Sequence, residues 1–134
     1  MGVRLYLLRT ERLATAVGLW IALLGGAVPA LAANVGDTQT CVSLKSIDDS
    51  RVIDNKTIVL RVLSTPEYRR IDLTSECFGL SFSDGFSSAT SISQLCANDI
   101  IKVTRDPVGS QCTIDQITVI DEGDAKALIA SRKR

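Results

Sequence analysis

The spacing of four cysteines constrains this chain more than any other feature. Cys41, Cys77, Cys96 and Cys112 are separated by 36, 19 and 16 residues, with no close pair, and the 134-residue chain has no histidine. Structural zinc sites bring their ligands in close pairs, as a Cys-x-x-Cys turn does, so this spacing argues against zinc. An even cysteine count in an exported domain of about 100 residues reads instead as two disulfides. A domain of that size buries a modest share of its surface, and each crosslink adds ~2–4 kcal/mol of stability. Spacing alone leaves three pairings open. The nested one is the expectation, with Cys77–Cys96 closing a loop-rich middle and Cys41–Cys112 tying the first strand to the last.

Export is argued from the other end of the chain. Arg4, Arg9 and Arg12 form a basic start, residues 13–33 carry no charge, and Leu19-Trp20-Ile21-Ala22-Leu23-Leu24 is the apolar centre. Gly25-Gly26 and Pro29 weaken the helix, and Ala30-Leu31-Ala32 offers the small residues of a cleavage site. These are the three parts of a secretory signal peptide, assigned to residues 1–32. An uncleaved anchor is the competing reading, since the uncharged stretch is long enough to span a bilayer. A lipid anchor fits less well, because Cys41 lies behind the polar run of residues 34–40.

Cleavage after Ala32 changes what composition says about partners. Without Arg4, Arg9, Arg12 and Glu11, the 15 basic and 15 acidic residues become 12 and 14, a net charge of −2. Nucleic acid and anionic membranes both demand a concentrated positive field, so neither is an expected partner. The aromatics left are Tyr68, Phe78, Phe82 and Phe86, so the core must be aliphatic.

Residues 33–40 read as a polar lead-in, 41–121 as the disulfide-bonded β domain, and 122–134 as a short C-terminal helix or tail. Residues 40–44 suggest a strand with Val42 and Leu44 on one face, and residues 46–50 a turn. Arg51-Val52-Ile53 and residues 56–63 flank Asp54-Asn55, both tolerant of the left-handed backbone that a two-residue hairpin turn requires. Ile58, Leu60 and Val62 share a face, and Ile71 and Leu73 point inward on the following strand. Residues 74–95 suggest two short strands around Ser83-Asp84-Gly85, or a long loop pinned by Cys77–Cys96. Residues 99–105 read as a strand with Ile101 and Val103 on one face, and Asp106-Pro107-Val108-Gly109 as a turn. In the last strand Cys112 and Ile114 are in phase, then Ile117 and Val119 are out of phase with them. That slip predicts a β-bulge near Asp115-Gln116. Residues 125–130 suggest a short helix capped by Asp124, with Arg132, Lys133 and Arg134 at its C-terminus. The fold class expected is mainly β, a small antiparallel barrel or sandwich stapled by two disulfides. A closed or nearly closed barrel is preferred because it brings first and last strands together.

Several spaced features occur together: Cys41-Val42, Val52-Ile53-Asp54 leading to Thr57-Ile58, and Tyr68-Arg69 before Leu73. Cys77-Phe78-Gly79-Leu80 follows, then Leu95-Cys96 with Asp99-Ile100-Ile101-Lys102-Val103, and Gly109 before Cys112. Over most of residues 41–120 this resembles an uncharacterised family of small exported proteobacterial proteins, known as a domain of unknown function. The resemblance implies a periplasmic, cysteine-bonded domain and brings no activity with it. Arg69 and Arg70 depart from the pattern, where a polar uncharged residue such as Asn is expected after Tyr68.

The chemistry within reach is narrow. Without histidine the usual general base near neutral pH is missing, and Ser-His-Asp and Cys-His arrangements are excluded. Cysteines tied in disulfides are not nucleophiles. Lys45, Lys56 and Lys102 leave a Ser–Lys pair formally open, and read better as solvated strand residues. Asp48-Asp49 and Asp121-Glu122 are adjacent carboxylates that point apart on an extended chain, so they read as turn residues. No cofactor and no metal are expected, since the spacing of Asp48, Asp49 and Asp54 lacks that of a calcium loop. Two candidate binding surfaces stand out: Tyr68 beside Arg69 and Arg70, and the segment carrying Phe82 and Phe86. The bland readings are strand surface with Tyr68 half-buried, and core plugs for Phe82 and Phe86. The function expected is a non-enzymatic periplasmic module that binds another protein or a small ligand. The alternatives are an inhibitor of a cell-wall hydrolase such as lysozyme and, last, a Ser- or carboxylate-based hydrolase.

Overall fold

The computed structural model describes residues 33–63, 66–90 and 92–132; the signal-peptide reading of residues 1–32 lies outside them, as do Lys133 and Arg134. The chain enters on a short strand, β1 (Thr38–Gln39), then β2 (Cys41–Ser43) and a 3-10 turn at Leu44–Ser46. Three strands follow: β3 (Ile47–Val52), β4 (Thr57–Val62) and β5 (Tyr68–Leu73). A helical turn, α1 (Leu80–Ser83), precedes β6 (Phe86–Ser88), β7 (Gln94–Cys96), β8 (Ile100–Val103) and the long β9 (Gln111–Ile120). The C-terminal helix α2 spans Glu122–Ser131.

Alternation of apolar side chains builds a curled antiparallel sheet in the order β3-β4-β5-β9-β8-β6, with β1 on β9 beyond β8. Cross-strand pairing stacks Val52, Ile58, Ile71 and Ile117 on its concave face. With Leu60, Leu73, Ile101 and Ile114 they form one apolar core. Each such side chain contributes ~1.5–3 kcal/mol when taken out of water. The bulge falls where the phase slip predicts it: Asp72 opposes Gln116 and Leu73 opposes Ile114, leaving Asp115 extra. The additional residue returns Ile117 to the same core as Cys112 and Ile114. On the convex face Ile53, Val59 and Ile120 pack against Ala125 of α2, with Tyr68, Leu128 and Ile129 around them.

The barrel is half-closed. The outer strands β3 and β6 do not pair with each other. First and last strands meet, but through the β1–β9 ladder, with Val119 N–H donating to Asp37 O at 2.9 Å and Gly36 N–H to Val119 O at 2.8 Å. No disulfide is needed there, and the nested pairing is incorrect: the bridges are Cys41–Cys96 and Cys77–Cys112. The reason is strand pairing. β2 and β7 form a separate two-stranded sheet with Cys41 directly opposite Cys96. Cys77 follows β5, whose neighbour β9 carries Cys112, and Thr74 N–H donates to Thr113 O as the chain leaves that strand.

Other local expectations are corrected by competing hydrogen bonds. The lead-in contains β1. Residues 46–50 are mostly strand, because the 3-10 turn takes the reversal and removes Leu44 from β2. Asp48 and Asp49 are held there by Arg61 and Arg51. Asp54 closes the hairpin with its side chain, accepting from the amides of Lys56 and Thr57 at 2.7 Å each, and neither Asp54 nor Asn55 has a positive φ. Residues 80–83 are helical where a strand or loop is expected. The α2 cap is Asp121, whose Oδ1 accepts from Asp124 N–H at 2.8 Å, so the helix starts before the expected residue 125.

Candidate functional site

Strand geometry separates the first candidate cluster. Tyr68 and Arg70 lie on the convex face, while Arg69 points to the concave one. Arg69 is buried, 6% exposed, and its guanidinium donates to Gln39 Oε1 at 2.6 Å, Glu67 Oε2 at 2.8 Å and Tyr68 O at 3.1 Å. It joins β5 to β1 across β9 and is not part of a surface. Tyr68 is half-buried against α2, and Arg70 pairs with Asp72 at 3.0 Å.

The two phenylalanines of the second cluster part company. Phe86 packs on the core and lines a groove of about 430 Å³ between the unpaired edges β3 and β6, with Ile47, Ser50, Leu60, Ser88 and Leu95. Phe82 is 86% exposed, so the plug reading fails for it. Phe78, just ahead of Gly79 and the α1 turn, is 78% exposed. Phe82 and Pro107 line a shallow hollow of about 230 Å³ with Gly79, Ser83, Arg105 and Asp106. Val108, next to Pro107, is 83% exposed. The α1 turn and the β8–β9 hairpin therefore form one tip, where Phe82 and Pro107 lie beside Arg105 and Asp106. Phe78, Pro107 and Val108 escape a reading of the sequence alone. The available signal was an apolar residue in an otherwise polar Asp-Pro-Val-Gly turn, and one aromatic directly after a cysteine.

The tip stands on a rigid base. Cys77, fully buried, anchors its start through the bridge to Cys112. Asn55 of the β3–β4 hairpin accepts from Ser81 N–H through its side chain at 3.0 Å, and its carbonyl accepts from Cys77 N–H at 2.6 Å. Gly79 holds a left-handed φ of 81°, which costs a glycine nothing and lets the chain turn into α1. Asp84 is ion-paired to Arg132 at the end of α2. On the hairpin side, the Ser110 hydroxyl and amide and the Val108 amide donate to the Asp106 carboxylate. Together they hold its pKa below the ordinary 3.8.

The carboxylates weighed for catalysis have structural partners: Arg61 for Asp48, Arg51 for Asp49, the helix amide for Asp121 and Lys126 for Glu122. The Glu122 contact raises the pKa of Lys126 above 10.5. All four cysteines are bonded, and no cluster of metal-ligating side chains exists among the described residues. No helix of the described residues is long and apolar enough to cross a membrane. No family model matches this chain, and neither the curated proteins nor the solved structures yield a match. Fold and bridges define its class: a small β half-barrel stapled by two disulfides, of the kind that folds in an oxidising, extracellular compartment.

Proposed function

We propose that the chain is a non-enzymatic periplasmic binding module that meets a partner protein with the Phe78–Phe82 tip. The observation that carries this reading is the display of two phenylalanines, 78% and 86% exposed, on a turn locked by a disulfide and by Asn55. Exposed aromatics on a rigid mount lose little conformational entropy on binding, and aromatic residues are enriched at protein interfaces. The absence of histidine and the bonding of all four thiols fit a binding role.

The test is affinity capture from periplasmic extract with the purified domain, against the double variant Phe78→Ser, Phe82→Ser. A partner retained by the native domain and released by the variant supports the tip. A partner held equally by both moves the interface elsewhere. A second reading, inhibition of a cell-wall hydrolase such as lysozyme, is favoured by the 86% exposure of Phe82 on the α1 turn, from where its ring is free to enter a substrate cleft. It predicts inhibition at micromolar concentration that the same variant abolishes.

A further inference from the structure

The two bridges sit in opposite surroundings. Cys77 and Cys112, 0% and 9% exposed, belong to the apolar core. Cys41 and Cys96 are both partly exposed. Alternation explains the difference. Val42 and Leu95, the central pair of the β2–β7 ladder, point into the core, so the neighbouring pair Cys41 and Cys96 faces outward. The cysteines are not joined by backbone hydrogen bonds to each other. Cys96 N–H donates to Asp99 Oδ2 at 2.7 Å, and the flanking bonds run from Ala97 N–H to Thr40 O and from Leu44 N–H to Ser93 O. Three residues on each side make up this small sheet, and its Leu95 lines the groove between β3 and β6.

We propose that Cys41–Cys96 is an exchangeable disulfide, reduced by a vicinal dithiol while Cys77–Cys112 stays oxidised, and that its reduction releases the β2–β7 flap from the mouth of the half-barrel. The reductant is a dithiol of the Cys-x-x-Cys class. One of its thiolates attacks Sγ of Cys41 or Cys96, the Sγ–Sγ bond breaks, and the departing sulfur leaves as thiolate and takes a proton. The second thiol of the reductant then attacks the mixed disulfide and frees the other cysteine as a thiol. Two electrons pass to the protein, and the dithiol becomes a disulfide. At Cys77–Cys112 the same attack requires a charged thiolate to enter an apolar core, where the charged form is strongly disfavoured.

The experiment treats the purified native protein with reduced dithiothreitol, quenches with acid at graded times, alkylates and maps the peptides. The expected result is that a species alkylated at Cys41 and Cys96 alone accumulates first, with Cys77–Cys112 reduced at least tenfold more slowly. Conversion straight to four alkylated cysteines, or alkylation of Cys77 and Cys112 first, overturns the proposal. Hydrogen exchange on the two-thiol species tests the release. Amides of β2 and β7 should exchange at least tenfold faster while those of β4 and β5 keep their protection. Unchanged exchange at β2 and β7 overturns the flap.

Discussion

A guanidinium on the concave face of a sheet must find partners there, and Arg69 finds them in Gln39, Glu67 and a backbone carbonyl. Its neighbours in sequence, Tyr68 and Arg70, face the other way, so three consecutive residues have three different tasks. Asp106 shows the same local logic at the exposed tip. Its carboxylate collects three donors and its pKa falls below 3.8. A group whose folded pKa is depressed adds stability above its unfolded value and loses it as pH falls through the folded value. The variant Asp106→Asn should therefore have a lower Tm than the native protein at pH 7. The difference should shrink to nothing as both are titrated below the folded pKa, measured by thermal melts across pH 2–7.

At the scale of elements, alternation was readable wherever one side of a strand is buried. Ile58 with Leu60, Ile71 with Leu73, and Ile101 with Val103 are placed as their period of two requires. The bulge in β9 was readable too, because only an extra residue reconciles the two apolar phases with one core. Less readable were the elements set by side chain to backbone bonds. The β3–β4 turn follows Asp54, α1 follows Asn55, and α2 follows Asp121, each decided by which amide lies within reach. Asp121 and Asp124 are both cap types near a helix start, and sequence pattern does not choose between them. The cap predicts its own test. Asp121→Ala should cost ~1 kcal/mol in urea unfolding, whereas Asp124→Ala, inside the first turn, should cost less.

At the scale of the whole molecule, the two bridges interlace: the 55-residue span of Cys41–Cys96 overlaps the 35-residue span of Cys77–Cys112. Cys77–Cys112 fastens the tip to the start of β9 from inside the core. Replacing both partners, Cys77→Ala with Cys112→Ala, should lower stability by ~2–5 kcal/mol in denaturant unfolding, through lost crosslinking and the cavities left by two buried sulfurs. By itself, the sequence determined that the chain is a cysteine-stapled β domain, where most of its strands lie, and that histidine chemistry is closed to it. Composition and local periodicity carry those properties. The tertiary structure alone decided which cysteines meet, that the barrel stays open between β3 and β6, that Arg69 is buried and that Phe82 is not. Each of these depends on which strands become neighbours across long stretches of chain. Neighbourhood is set by the packing of the whole core, and no local pattern encodes it.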